Sequence, residues 1–216
     1  MTNADFNADS DNAKDTGRAE AFSDGVIAIA ITLLAFNLRV PTSEDAEAAG
    51  GLLQALAQNW TAYLAFFTSF MVILIMWVNH HRLFRMIHRT DHNFLMINGL
   101  LLMGITVVPF ATILVADYLT KPEANIAVAV YTGLSLILSF LFQAFWRYAA
   151  YKRRLLGANV PDEAIKAVYR QFWVGPVGYA IALLLSFVNA FLGFGVILLL
   201  AIWFALPSRR SENVKV

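Results

Sequence analysis

Two groups of side chains in this sequence could do chemistry: Ser23 with Asp24 beside a long apolar run, and the four histidines His80, His81, His88 and His92. His88 and His92 stand four residues apart, a spacing that suits two metal ligands on one helix face. No carboxylate-rich third ligand accompanies them, and Asp91 points elsewhere on the turn. They are read as interfacial histidines in a basic segment, not as a metal site. Ser23, Asp24 and a histidine have the composition of a hydrolase triad, but neither a nucleophile elbow nor an oxyanion signature accompanies them. The chain has no cysteine, which excludes disulfides, thiolate metal sites and cysteine nucleophiles. No enzyme activity and no cofactor are expected.

The elements that must carry these residues are set by lipid. Hydrophobic residues make up 59% of the 216 and charged residues 14%, against about half and a quarter in soluble domains. The net charge of +1 gives no basic field for nucleic acid. Residues 1–17 are polar, lack the apolar stretch of a secretory signal and are expected to form a disordered tail. A span needs roughly 20 residues to cross a hydrocarbon core about 30 Å thick. Runs free of Asp, Glu, Lys and Arg occupy 25–38, 60–79, 94–116, 124–146 and 171–208. The last is about twice the length of one span and is read as two helices split near 186–193, where Asn189 offers a turn. The expectation is an all-α integral membrane protein with six transmembrane helices over 18–208 and a short C-terminal tail over 209–216.

Lys and Arg orient it. With the N-terminus inside, fourteen of the sixteen basic residues fall on inner segments and only Arg39 and Lys121 on outer ones. Both termini are therefore expected to be cytoplasmic. The long inner segment 148–170 should restart as a helix after Pro161, with Asp162 and Glu163 at the positive end of its dipole. Trp60, Trp146, Trp173 and Trp203 fall near span ends, where indoles favour the interface.

The first span holds the most information. Its charge-free run covers only 14 residues, about 21 Å as a helix, and Pro41 ends it on the outer side. Counting back about 20 residues from Pro41 brings Ser23 and Asp24 into the helix near the inner membrane edge. A carboxylate there should face protein or water, not lipid. Further out, Ile29, Leu33 and Phe36 fall on one helical stripe with Thr32 beside it. Ala28, Ala30 and Ala35 are small enough to let a neighbouring helix come close. Such a stripe suits ordinary packing or lipid contact as well as a pore.

Arg18-Ala-Glu-Ala-Phe22-Ser23-Asp24 resembles the RxxxFSD signature at the base of the first helix of the transmembrane protein 175 family. These are endosomal and lysosomal potassium channels of animals and their bacterial relatives. Trp77-Val-Asn-His80-His81-Arg82-Leu-Phe84, closing the second span, is similar to the family's W-x-N-H-H-x-x-F stretch. The single six-helix unit resembles the bacterial members, which the family assembles as homotetramers. The resemblance implies a multi-pass protein of the bacterial inner membrane that conducts K+, with the lipid bilayer and copies of itself as partners. It also implies that the first helix of each subunit lines the pore. The family's constriction then falls on Ile29, its threonine on Thr32, and its further apolar rings on Leu33 and Phe36. Phe36 departs from the aliphatic residue common at its position.

The same resemblance gives the signature a structural role. Arg18, Phe22, Ser23, Asp24, Trp77, His80, His81 and Asn98 are expected to hold the pore helix in register. One of the two histidines, with Asn98, would hydrogen-bond Ser23 and Asp24, and Arg18 would pack on an aromatic such as Trp77. The chain has no TVGYG loop and hence no carbonyl filter. Glu44, Asp45 and Glu47 in the first outer segment could concentrate cations. The alternative is a secondary transporter, with Pro109 and Pro176 breaking helices near the midplane.

Overall fold

The computed structural model describes residues 3–205, with side chains from Lys14 onward. Met1, Thr2 and 206–216, which contain the expected C-terminal tail, lie outside the described residues. The elements are α1 (Asn3–Leu33), a 3-10 turn (Leu34–Asn37), α2 (Ser43–Ala49), α3 (Leu52–Gln58), α4 (Trp60–Phe84), α5 (His92–Tyr118), α6 (Ala124–Ala150), α7 (Asp162–Val188) and α8 (Ala190–Ala205). Helix α1 already begins at Asn3, where the composition suggested a disordered tail. No proline interrupts residues 3–17, so a helix nucleated by the packed turns further on can propagate back one bond per residue.

Among the described residues, five helices are long and apolar enough to cross a membrane: Lys14–Asn37, Trp60–Phe84, His92–Tyr118, Ala124–Arg153 and Asp162–Val188. Helix α8 is more apolar still but has 16 described residues. The chain breaks at Asn189, inside the expected split. Its side-chain oxygen accepts from the backbone N–H groups of Phe191 (2.9 Å) and Leu192 (3.2 Å), capping the helix that follows. Helix α7 starts directly after Pro161 with Asp162 and Glu163 in its first turn. Pro109 and Pro176 lie inside continuous helices, so neither breaks its span.

Helix α1 packs on α4 and α5; α6 joins α5 to α7; α8 folds back on α7 and also meets α4 and α6. At the arginine-rich end, buried Phe84, Phe94 and Phe145 close around His80, with ring centroids 4.6 to 5.9 Å apart. Backbone bonds from His88 to Leu155 (2.9 Å) and from Gly157 to Met86 (3.1 Å) tie the segments after α4 and α6 together. Asp91 caps α5 through the Phe94 N–H at 2.8 Å. This break puts His88 in the irregular link before α5 and His92 on the helix, so the two do not share a helix face. Trp60, Trp173 and Trp203 are exposed as interfacial indoles should be, but Trp146 is fully buried, edge-on to Tyr169 at 6.3 Å.

The outer segment folds as α2 and α3. Thr42 and Asp45 form a reciprocal capping box at the start of α2. The Thr42 backbone N–H, then its hydroxyl, hold the Asp45 carboxyl below its ordinary value of 3.8. The cap is thus present at neutral pH and is lost only as pH falls through that lowered value.

Gly193 governs how α8 turns back. A Cβ there would sit 2.9 Å from the Ala182 carbonyl and 2.9 Å from Ser186 Cα, both backbone atoms. Gly195 has open space around it. Gly193→Ala should cost about 1–3 kcal/mol by overpacking and lower the thermal midpoint in detergent, while Gly195→Ala should leave it unchanged. Equal midpoints for the two variants would contradict this account of the α7–α8 contact.

Candidate functional site

Helix α1 has two faces. Ser23, Ile27, Ala30 and Leu34 recur at helical spacing, and each is at most 2% exposed; this face packs into the bundle. Phe22 (67%), Ile29 (61%), Leu33 (41%) and Phe36 (82%) lie on the exposed side. Thr32 is exposed beside them. Its hydroxyl donates to the Ile29 carbonyl at 2.8 Å, which leaves only oxygen lone pairs to face outward. The tighter 3-10 turn carries Phe36 and shifts it off the strict α-helical register. It stays exposed nonetheless.

The packed face begins with a chain of polar contacts. Ser23 donates its one proton to the Ala19 carbonyl at 2.8 Å. Asn98 on α5 donates from Nδ2 to Ser23 Oγ at 2.9 Å. That leaves Asn98 Oδ1 to accept from His80 Nε2 on α4, 3.0 Å away. His80 therefore carries its proton on Nε2, and its buried Nδ1 has no partner. Ser23, His80 and Asn98 are at most 3% exposed. Three helices thus meet through one continuous set of hydrogen bonds, which is favourable only because its members satisfy one another.

A second set of contacts lies nearer the surface. The Trp77 indole donates to Asp24 Oδ1 at 2.9 Å and stacks on His81 at 5.9 Å. His81 Nδ1 meets Glu20 Oε1 at 2.9 Å. Of the two histidines, His80 reaches Ser23 through Asn98, whereas Asp24 is held by Trp77 and by neither histidine. Glu20 is the member that sequence reasoning missed. Its position three residues before Ser23 and four before Asp24, on the same face, was the available signal. Arg18 is exposed. The cations set over rings among the described residues are Lys121, Lys152 and Arg154, so Arg18 is not stacked on Trp77. Phe22 lies outside the network, on the face that carries Ile29.

A buried hydroxyl cluster joins α4, α5 and α6 deeper in the bundle. Ser69 Oγ lies 2.9 Å from the Tyr131 hydroxyl and 2.7 Å from Thr112 Oγ1. Thr112 also reaches the Val108 carbonyl at 2.8 Å. The acidic residues Glu44, Asp45 and Glu47 are on α2, and Asp45 is engaged in the cap.

These contacts differ in worth. Asn98→Ala removes the shared partner of two buried groups, each costing about 1–3 kcal/mol when orphaned. His81→Ala removes an exposed pair worth about 0–1 kcal/mol. Thermal unfolding in detergent should show a large loss for Asn98→Ala and a small one for His81→Ala. The reverse order would contradict the assignment of Asn98 as the hub.

Residues 18–109 match the family described as endosomal/lysosomal potassium channel TMEM175, the stretch that carries both polar sets. A potassium channel of Chamaesiphon minutus is 48% identical over 194 residues, covering 90% of this chain and 95% of that protein. A potassium channel of Streptomyces collinus is 40% identical over 203 residues, covering 91% and 97%. The chicken endosomal/lysosomal proton channel TMEM175 is 34% identical over 143 residues, covering 63% of this chain and 28% of that protein. The crystal structure of a lysosomal potassium-selective channel TMEM175 homolog from Chamaesiphon minutus superimposes with a TM-score of 0.82 at 47% identity, covering 89% of this chain and 97% of that one. With near full-length similarity at this identity and the same fold, the chain belongs to the TMEM175 family of channels.

Proposed function

We propose that the chain forms a potassium-permeable cation channel, with the first helix of each of four subunits lining a shared pore in the bacterial inner membrane. The observation that carries this reading is the exposed apolar stripe Ile29–Leu33–Phe36, turned away from the face committed to α4 and α5. The names of the Chamaesiphon and Streptomyces relatives support K+ as the permeant ion. The proposed topology has six spans, α8 being the sixth, with both termini cytoplasmic because the basic residues cluster on that side.

In this arrangement four copies of Ile29 form an apolar ring that blocks ions by dewetting when narrow. Conduction requires the ring to widen for a partly hydrated ion. Potassium sheds water more readily than sodium, so selectivity is real but weaker than a ring of carbonyls would give. Thr32 lies next to Ile29, and its proton is already committed to the Ile29 carbonyl. It therefore offers only acceptor lone pairs to a passing cation. The Ser23–Asn98–His80 chain and the Trp77–Asp24 bond fix the rotation of α1. The continuity of α5 and α7 through their prolines weighs against the broken helices of a secondary transporter.

Purified protein reconstituted in bilayers should give single-channel steps and a reversal potential that moves with the potassium gradient. Ile29→Asn should raise the resting current and bring the potassium and sodium permeabilities closer. A reversal potential that follows the proton gradient alone, flux strictly coupled to a second solute, or an Ile29→Asn variant with wild-type current and selectivity would contradict the proposal.

A further inference from the structure

At the arginine-rich end of the bundle, a cleft of about 650 Å³ opens between α5, α6 and α7. Ile97, Ala144, Arg147, Tyr148, Arg154 and Tyr169 line it, with Tyr151 at its edge. Arg147 and Arg154 are exposed, and among the described residues no carboxylate pairs with either. Asp91, which meets the cleft residue Tyr148, is occupied: one oxygen accepts from the Phe94 N–H at 2.8 Å and the other from the Tyr148 hydroxyl at 2.9 Å. The Arg154 guanidinium lies 4.8 Å over the Tyr148 ring, so it is held in place without being neutralised.

The chain holds Arg154 there under strain. Lys152 and Arg153 both adopt left-handed backbone, with φ of 51° and 55°, a conformation that non-glycine residues adopt only when the surroundings over-determine it. Arg153 supplies that constraint by donating to Asp162 Oδ1 at 2.7 Å and to the Val160 carbonyl at 2.6 Å. The result is a strained turn that directs Tyr151 and Arg154 toward the cleft while Arg153 closes the loop behind them.

We infer that this cleft binds the phosphate headgroup of an anionic phospholipid from the leaflet on the arginine-rich side. Two unpaired guanidinium groups, each able to take a phosphate through two parallel N–H bonds, provide the recognition. Tyrosines provide the amphipathic rim expected at headgroup depth. Ile97 and Ala144 supply an apolar wall for the upper acyl chain, which a soluble phosphate would not need. A basic pocket between membrane helices is the recurring form of such a site. That the leaflet is cytoplasmic rests on the orientation proposed above. The binding itself does not depend on ion conduction.

Native mass spectrometry of the detergent-purified protein tests the inference. Phosphatidylglycerol should be retained over phosphatidylcholine. Arg147→Gln should reduce that retention about fivefold, and the Arg147→Gln/Arg154→Gln double variant about twentyfold. Arg39→Gln, at the opposite end, should change nothing. Arg147 makes no side-chain bond among the described residues, so the single variant remains informative if the double variant aggregates. A parallel titration with inorganic phosphate and with ATP separates the sources. Saturable binding of these without retention of phosphatidylglycerol would overturn the lipid assignment, and equal retention by wild type and the single variant would overturn the site. Either failure would leave the channel reading standing, because no current is measured.

Discussion

Everything about this chain turns on how its first helix is held. A helix in lipid gains nothing from hiding apolar side chains, because lipid tails are as apolar as leucine. Rotation about the helix axis must then be set by close packing and by polar groups that lipid cannot satisfy. Ser23, Asn98 and His80 supply the polar part, and Ile27, Ala30 and Leu34 the close packing. Once these residues point into the bundle, the geometry of a helix sends Ile29, Leu33 and Phe36 the other way. The exposed stripe is thus the consequence of a lock on the opposite face.

That division explains why the polar groups at the base are so tightly arranged. A serine, an asparagine and a histidine buried near the end of a span would each be costly alone. Joined in a line, each donates or accepts where its neighbour requires it, and the line crosses three helices. Trp77 and His81 extend the clasp to Asp24 and Glu20 nearer the surface. The aromatic cluster of Phe84, Phe94 and Phe145 closes over His80, keeping water from competing for these bonds.

Much of this was legible in the sequence because lipid as a solvent leaves few options. Span positions followed from charge-free length, and the break at Asn189 from one polar residue in an apolar run too long for a single crossing. The helix start after Pro161 and the two-faced character of the first helix could also be read. Pairings between helices could not. Glu20 meeting His81, or Ser69 meeting Thr112 and Tyr131, depends on relative rotation and depth, which a hydropathy pattern does not encode. Trp146 looked like an interfacial anchor by position, but the neighbouring α7 covers it. His88 and His92 had helical spacing, and the Asp91 cap placed a helix boundary between them. Residues 3–17 looked disordered by composition, yet their backbone continues a helix started elsewhere.

The chain contains no cysteine, so single cysteines can test whether the Ile29–Leu33 side of α1 meets the ion path, as proposed. A small cationic thiol reagent should block current when the cysteine replaces Ile29 or Leu33, and should leave it untouched when the cysteine replaces Ile27 or Ala30. Full modification at Ile29 and Leu33 with undiminished current would place that stripe against lipid and contradict the account.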